Sequence, residues 1–358
     1  GATDINGLSD AKTLDTGQTI ALGTGALAND DGSGNDNTAV GYQTGNALTT
    51  GYDNNLFGYQ AGRDMTTGYY NCLYGKNSGS QITTGNTNTA MGMYSLSNAT
   101  TASNNVAIGY GTLGQVVTTG ASGVVNSSNN TAVGVNAGAN TTGENNVYVG
   151  KEAAYNKTTG SNNVSIGAYS MRNGSGAAAS NVSVGTYSMY DSTTLTTSAA
   201  LGHWAGKTAV SGSNNCFIGN TAYGSSTSIS NEITLGNASI ATLRCQVQTI
   251  SSLSDRRDKK DIEELPLGID FINTLKPVKF TWNMRDGAKV GQQEAGFIAQ
   301  DLDEAQIDAG AEDYLSLVLK NNPEKLEASY GKLVPVLVKA VQELSAEIAK
   351  LKKEISNG

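Results

Sequence analysis

The sequence predicts a mainly β repeat solenoid with about 17 residues per coil, followed by a small α/β domain that ends in a coiled-coil helix. Three observations support this prediction: a short phrase that recurs at a nearly constant interval, a change in composition near residue 250, and a heptad pattern near the C-terminus. A chain of 358 residues is long enough for two or three domains.

The recurring phrase has the form Asn-x-x-apolar-Gly, as in Asn37–Gly41 and Asn105–Gly109. Its glycine returns every 16 to 18 residues, apart from one interval of 25 residues. A period of this length indicates stacked coils, because one short unit cannot bury its own apolar face and a neighbouring coil can cover it. The glycines are Gly23, Gly41, Gly58, Gly75, Gly92, Gly109, Gly134, Gly150, Gly167, Gly185, Gly202, Gly219 and Gly236.

Alternation of residue types just before each glycine predicts a short strand with one face buried. The third residue after the glycine is small in twelve copies, which implies a tight interior: Ala26, Thr44, Ala61, Ser78, Ser95, Thr112, Ala137, Ala153, Ser170, Ser188, Ala205 and Ala222. The glycine itself is expected to form a corner with unusual backbone angles. The first asparagine of each unit is expected to join an amide ladder along the stack.

The frequencies of glycine and of charged residues divide the chain into two parts. Of 44 glycines, 37 precede residue 251. Residues 1–250 carry 12 acidic and 8 basic side chains, whereas residues 251–358 carry 19 and 15. We therefore expect a lead-in over 1–18, a solenoid over 19–240, a linker over 241–253 and a C-terminal domain over 254–358.

Several classes of partner are disfavoured by composition. The net charge of −8 argues against nucleic acid, and no apolar run approaches the length of a membrane span. His203 is the only histidine, so we expect no metal site and no cofactor. Cys72 and Cys216 occupy a repeat position and are interpreted as small core fillers, which suggests folding in a reducing cytoplasm.

Two local features of the repeats are candidate binding sites. The long interval contains an insertion of about eight residues around residues 115–128. Insertions in solenoids lie on the surface and often bind partners, although a tolerated surface loop explains this one equally well. The adjacent His203 and Trp204 are either a platform for a sugar or a surface aromatic pair with no ligand.

The C-terminal part is expected to contain a strand over Val278–Trp282 and a long helix from about Pro323 or Tyr330 to Ile355. Apolar residues of this helix step by four and three, which is the pattern of a coiled-coil seam. The alternative is an amphipathic helix that packs on its own domain. The seam residues are Tyr330, Val334, Leu337, Val341, Leu344, Ile348, Leu351 and Ile355.

The motifs resemble two known groups of proteins. The repeats resemble the head repeats of trimeric bacterial adhesins, which form a left-handed parallel β-roll, and repeats in phage tail fibres. SDRRDKKDI at residues 254–262 resembles the S-D-x-R-x-K-x-x-I motif of the endosialidase-type intramolecular chaperone domain, and GFIAQDL and SYGKLVPVLVKAVQELSAEIAKLK also fit that family. This second resemblance covers roughly residues 250–358. It implies a domain that drives homotrimer folding of phage tailspikes or fibres and then releases itself.

The resemblance to the chaperone domain also implies roles for individual residues. Ser254 would attack the carbonyl of Leu253, and Lys259 would act as its base, while Asp255 and Arg257 would organise the site. A serine hydroxyl needs such a base, and the cations near Lys259 are expected to favour its neutral form. The alternative is that Ser254 caps a helix whose first turn is charged.

The leading hypothesis is a homotrimeric phage tail fibre segment that folds in the host cytoplasm and is part of the virion. It would contact a host cell-surface glycan or protein and other tail proteins, and its only enzymatic step would be one self-cleavage. A second hypothesis is a polysaccharide-degrading tailspike, which needs paired carboxylates; Glu144 and Glu152 are the only close glutamates in the repeats. A third is a bacterial surface adhesin, although no membrane-anchoring pattern is recognisable.

Overall fold

The fold is known from a computed structural model, in which the chain forms two compact units, Gly1–Asn237 and Ala238–Gly358. The described residues are 11–14, 18–32, 35–114, 127–156, 159–174, 176–246, 250–285, 287 and 289–357. Nearly all of the insertion expected around residues 115–128, and most of the expected lead-in, lie outside the described residues.

The first unit is a β-solenoid of about 12 turns, with roughly 17 residues per coil, as predicted. Each coil contributes one short strand to a parallel sheet, in which equivalent residues of successive coils lie side by side. The first strand is the exception, since it pairs antiparallel with the second at the edge of the sheet. The fourteen strands of this sheet are β1 Ala11–Leu14, β2 Thr19–Leu22, β3 Thr38–Val40, β4 Asn55–Phe57, β5 Cys72–Tyr74, β6 Thr89–Met91, β7 Val106–Ile108, β8 Thr131–Val133, β9 Val147–Val149, β10 Val164–Ile166, β11 Val182–Val184, β13 Ala199–Leu201, β15 Cys216–Ile218 and β16 Ile233–Leu235, while β12 Thr194–Thr196 and β14 Ser211–Ser213 form a separate parallel pair.

In strands β3 to β13 and in β15 the middle residue points into the coil, as Ala90 and Leu73 do, and is buried. The apolar residues on either side of it point outward, so that Leu201, for example, is 55% exposed. Cys72 and Cys216 lie on this outer face and are only half buried, and their interpretation as core fillers is therefore wrong. The physical reason is that the narrow interior takes one side chain per strand, and that side chain is the middle one.

The small residues that follow the corner glycine are all buried, as predicted. From Gly23 to Gly202 the corner glycines stack so closely that none has room for a side chain. At Gly75 the backbone φ is +130°, and a Cβ atom would lie 2.6 Å from the carbonyl oxygen of Gly92. The corner therefore requires glycine for its backbone angle and for its distance from the next coil.

The predicted asparagine ladder is present along the solenoid. Asn88 donates a hydrogen bond from its backbone nitrogen to Asn71 Oδ1 over 3.1 Å, and a second from its Nδ2 atom over 3.0 Å. The same Nδ2 atom donates to the carbonyl oxygen of Ala102 at 2.9 Å. The ladder runs through buried Asn37, Asn54, Asn71, Asn88, Asn105, Asn130, Asn146, Asn163 and Asn181.

In the second unit, helices and two antiparallel sheets of two strands each surround a small core that includes Phe271, Leu302 and Val336. The expected strand is confirmed over Val278–Thr281, whereas the α-helix begins only at Val334, after a 3₁₀ turn at Tyr330–Leu333. None of the helices in the described part of the chain is long and apolar enough to cross a membrane. The elements are α1 Ile269–Thr274, β17 Val278–Thr281, β18 Gln293–Gly296, α2 Ala299–Asp308, α3 Glu312–Leu315, β19 Val318–Leu319, β20 Glu327–Ala328 and α4 Val334–Asn357.

Candidate functional site

Ser254 and Lys259 lie together at the beginning of the C-terminal unit. Lys259 Nζ is 2.6 Å from Ser254 Oγ and 3.4 Å from the carbonyl oxygen of Ser254. A single 3₁₀ turn at Arg256–Asp258 reverses the chain between them and is closed by a hydrogen bond from Lys259 N to Arg256 O. The turn thus places the hydroxyl and the amine at the distance at which a neutral amine can accept a proton from the hydroxyl.

Asp255 caps this turn and binds Arg257. Asp255 Oδ1 accepts a hydrogen bond from the backbone nitrogen of Arg257 at 2.8 Å, and Asp255 Oδ2 accepts one from Arg257 Nη2 at 2.7 Å. The side-chain hydrogen bond from Arg257, followed by the backbone one, lowers the pKa of Asp255. The cap is therefore Asp255 and not Ser254, which leaves the Ser254 hydroxyl free to contact Lys259.

The ion pair also changes the expected electrostatics of the site. Because Arg257 is bound by a carboxylate, it does not face Lys259 as an uncompensated cation. Lys260 likewise lies 3.8 Å from Asp261, although both of these side chains are highly exposed. The crowding by like charges that the sequence suggested is thus partly cancelled by the alternating aspartates of the same motif.

The whole segment around the predicted cleavage site is accessible. Every residue from 250 to 264 is exposed, and the side chain of Leu253 is 96% exposed. The bond between Leu253 and Ser254 lies in chain that is neither helix nor strand. An exposed peptide bond outside helices and strands can adopt the geometry that nucleophilic attack needs, but burial of Lys259 is not supplied by this chain alone.

Helix α4 has one face that packs on its own unit. Val336 and Ala340 are buried there, next to the core. Glu343 Oε2 accepts a hydrogen bond from the backbone nitrogen of Ile269 at 2.8 Å, at the first turn of helix α1. Lys339 binds Glu264, and this hydrogen bond and charge lower the pKa of Glu264. These contacts fix the first half of α4 on the C-terminal unit.

A neighbouring face of α4 carries the predicted seam, and its side chains are largely exposed. Its seven helical members are between 42% and 81% exposed: Val334, Leu337, Val341, Leu344, Ile348, Leu351 and Ile355. Residues 344–357 are all exposed, so the second half of the helix contacts little of its own unit. Tyr330 precedes the α-helix, and its hydroxyl accepts a hydrogen bond from Phe297 N at 3.2 Å.

The glutamates that a polysaccharide-cleaving site would use have different surroundings. Glu152 Oε2 binds Arg172 Nε at 2.6 Å and is partly buried, whereas Glu144 is exposed. The Glu152 carboxylate is therefore engaged by Arg172 and is not open to a substrate in this arrangement. Among the described residues, no three histidine, cysteine, aspartate or glutamate side chains are grouped so that they could hold a metal ion.

Comparison with known proteins gives one match. A family model described as the chaperone of endosialidase matches residues 254–311, and the match begins at Ser254. Neither the curated proteins nor the solved structures contain a match to this chain. The resemblance inferred from the SDRRDKKDI motif is thereby confirmed, and the C-terminal part of this chain is similar to the chaperone of endosialidase over residues 254–311.

Proposed function

We propose that this chain is a homotrimeric phage tail fibre or tailspike segment whose C-terminal unit assists folding and then cleaves the bond between Leu253 and Ser254. The solenoid would be the part kept in the virion, where it contacts other tail proteins and a host cell-surface glycan or protein. The observation that carries the proposal is the 2.6 Å distance between Ser254 Oγ and Lys259 Nζ at the first residue of the family match.

The proposed reaction begins when the neutral amine of Lys259 takes the proton of the Ser254 hydroxyl. Ser254 Oγ attacks the carbonyl carbon of Leu253, and the bond from that carbon to the nitrogen of Ser254 breaks as the nitrogen takes up a proton. The Leu253 acyl group is then held as an ester on Ser254 Oγ. Water hydrolyses this ester, which leaves a carboxylate on Leu253 and a free hydroxyl on Ser254. Asp255 and Arg257 position the turn and touch none of the reacting atoms.

Assembly of three chains would complete this site. A lysine acts as a base when an apolar or cationic environment disfavours its ammonium form, and in one chain Lys259 is exposed. Neighbouring protomers can cover the exposed segment 250–264 and so couple cleavage to assembly. This coupling is useful in a folding aid, because the aid would be released only from chains that have assembled.

The seam of helix α4 supports self-association. An isolated helix of the length of residues 344–357 is marginally stable in water, so this half of α4 needs a partner. Apolar residues in heptad positions are the surface that identical helices bury against one another. The mixed branched and unbranched residues of the seam are compatible with three strands.

The outer face of the solenoid sheet supports the same arrangement. The two outward positions of its thirteen parallel strands carry no charged side chain, and Met91, Ile108 and Ile218 among them are substantially exposed. Second and third copies of the solenoid would cover these apolar side chains. An uncharged apolar face of this length is unusual for a surface that remains in water.

Intact mass of the freshly expressed chain tests the proposal. We expect a break between Leu253 and Ser254 in the wild type, and an uncut chain in Ser254→Ala and Lys259→Ala. Ser252→Ala and Lys260→Ala are matched controls, since they change the same residue types in the same exposed segment and should leave cleavage intact. An uncut wild type, or cleavage that persists in both site variants, would show that the catalytic assignment is wrong.

A further inference from the structure

A second cluster of chemically active side chains lies on the solenoid, far in sequence from the cleavage site. It occupies four successive coils, those that follow the glycines at positions 150, 167, 185 and 202. Aromatic rings from the last three coils touch one another, and basic side chains lie over several of them. We call it the corner patch, and its members are Lys151, Tyr169, Arg172, Tyr187, Tyr190, His203, Trp204 and Lys207.

The rings of the corner patch form a continuous row. Tyr169 and Tyr187 are stacked, with ring centroids 4.9 Å apart. Tyr187 in turn lies 6.2 Å from Trp204 and 5.4 Å from Tyr190, in edge-on contacts. His203 stacks on Trp204 at 4.7 Å. Because equivalent residues of neighbouring coils are about 4.8 Å apart, the rings make a ladder that runs along the solenoid.

Cations are concentrated beside these rings. Lys207 Nζ lies 4.6 Å from the centroid of the Trp204 ring, and Lys151 Nζ lies 5.4 Å from that of Tyr169. Neither lysine forms an ion pair with another described residue, whereas Arg172 is paired with Glu152. Residues 1–250 hold only eight basic side chains, and three of them are in this patch. Three cations beside one row of rings are suited to a negatively charged ligand.

The indole N–H group of Trp204 is a hydrogen-bond donor within the corner patch. Its Nε1 atom is shielded from solvent and has no hydrogen-bond partner among the described residues. An enclosed N–H group without an acceptor is costly, and a ligand oxygen that a small movement of the ring brings within reach would offset that cost. Trp204 as a whole is partly exposed, and the Lys207 ammonium group lies over its ring.

The corner patch and the outer face of the sheet are different parts of each coil. The patch residues follow the corner glycine, and the outward apolar residues precede it, as Leu201 precedes and His203 follows Gly202. Burial of the sheet face between copies would therefore use other side chains than those of the patch. This arrangement leaves the patch available to a ligand in an assembled fibre.

We propose that the corner patch binds an acidic glycan, which lies along the row of Tyr169, Tyr187 and Trp204 and has a carboxylate bound by Lys207 or Lys151. The proposal rests on the fibre function proposed above and assigns its receptor class. The rims of stacked aromatic rings offer apolar surface to the C–H groups of sugars, and ammonium groups form charge-assisted hydrogen bonds with carboxylates. A shallow row of separate rings suits an extended chain of sugars better than a protein, whose anchors need enclosed apolar pockets.

The test uses the full chain and a panel of carboxylate-bearing bacterial polysaccharides, each beside its carboxyl-reduced form. We expect the wild type to bind at least one acidic member and to bind its reduced form about tenfold more weakly. Trp204→Ala and Lys207→Ala should each weaken that binding by about tenfold. Tyr69→Ala is the matched control, because Tyr69 stacks on Tyr52 at 4.9 Å and has no cation over its ring among the described residues.

Three results would overturn the proposal: equal binding of the acidic and reduced forms, unchanged binding in both patch variants, or no binding to any acidic member. Lys207→Gln is included in case Trp204→Ala misfolds, because it changes only one surface side chain and should still weaken the binding. Binding only to a protease-sensitive cell-surface component would assign the receptor to the protein class instead. Trimer mass and cleavage are measured on the same samples, so a wrong glycan assignment is distinguishable from a wrong fibre assignment.

Discussion

Lys259 Nζ lies 2.6 Å from Ser254 Oγ, although both side chains are exposed and neither is held by a packed core. The backbone between them positions the pair, since one 3₁₀ turn capped by Asp255 brings residues five apart into contact. The proposed nucleophile and base are therefore brought together by local structure within a single chain. In the proposed mechanism, assembly would only have to remove water from around this pair.

Lys259→Arg should abolish cleavage even though it preserves a positive charge and hydrogen-bond donors. A guanidinium is not deprotonated in proteins, so it cannot accept the Ser254 proton. General base catalysis contributes at least about a hundredfold, and we expect a loss of that size or more in a time course of intact mass. Lys260→Arg, one residue further on, should cleave normally. Cleavage of Lys259→Arg at the wild-type rate would mean that another group is the base.

The sequence was sufficient to predict the coil length, the glycine corner, the buried small residues and the asparagine ladder. Each of these is repeated about a dozen times, and each follows from close stacking of identical units. Gly75 and Asn88 show why: no other residue satisfies the backbone angle at the first position or the amide hydrogen bonds at the second as well.

Other features could not be predicted, because the sequence offers two similar residues for one role and does not distinguish between them. Leu201 and Ala200 are both apolar, so alternation alone could not tell which of them faces the interior. Ser254 and Asp255 are both residue types that cap helices well. Asp255 is the cap in the structure, because the turn begins at Arg256. Cleavage and trimer formation remain predictions, because both concern surfaces that are unpartnered in one chain.

Asn88→Ala should destabilise the solenoid by about 3 kcal/mol, because it removes the bonds to Asn71 and Ala102 and leaves buried groups unpaired. The midpoint of urea unfolding measures this loss. Asn88→Ser is the matched variant and should lose less, since Ser198 occupies the equivalent place and its Oγ atom accepts a hydrogen bond from Asn215 N at 3.1 Å. Equal losses in the two variants would contradict the role given to the ladder.

Gly75→Ala should be more harmful than its size suggests. The new methyl group would lie 2.6 Å from the carbonyl oxygen of Gly92, and the φ of +130° is one that alanine rarely adopts. Backbone strain of this kind costs about 1–3 kcal/mol before the clash is counted. Limited proteolysis and the urea midpoint should both report a weakened solenoid. In Gly331→Ala the new methyl group would have no heavy atom within 4 Å, so stability should be nearly unchanged.

Acid should destabilise the C-terminal unit before the solenoid. The hydrogen bond from Lys339 lowers the pKa of Glu264 below its ordinary value of 4.5. A lowered carboxyl pKa contributes stability above the unfolded value, and this stability is lost as the pH falls through the folded value. The amides of the ladder do not titrate in this range.

Calorimetry at about pH 7 and about pH 3.5 should therefore show the transition of the C-terminal unit moving to lower temperature, with a smaller shift in the solenoid transition. Glu264→Gln should lower that transition at neutral pH and reduce its pH dependence. Glu347→Gln neutralises an exposed carboxylate on α4 and serves as the control. A solenoid transition that shifts as far as the other would show that titrating groups also stabilise the coils.

Ile348→Asp should dissociate the proposed trimer, because it places a charge in the middle of the exposed seam of α4. Ile348 is 52% exposed in the single chain, so the substitution should not disturb the core of the C-terminal unit. Burial of such a side chain between helices contributes about 1.5–3 kcal/mol per chain, and three chains lose it together. Sedimentation should show a monomer, and circular dichroism a loss of helix as residues 344–357 fray.

Glu347→Ala changes the adjacent exposed residue outside the seam and should remain trimeric. Cleavage should also slow in Ile348→Asp, because the segment around Ser254 would lose the neighbouring chains proposed to cover it. If Ile348→Asp stays trimeric and cleaves normally, the seam is not what holds the chains together. If it is monomeric and still cleaves at the wild-type rate, the turn alone activates Lys259, and assembly is not required for the chemistry.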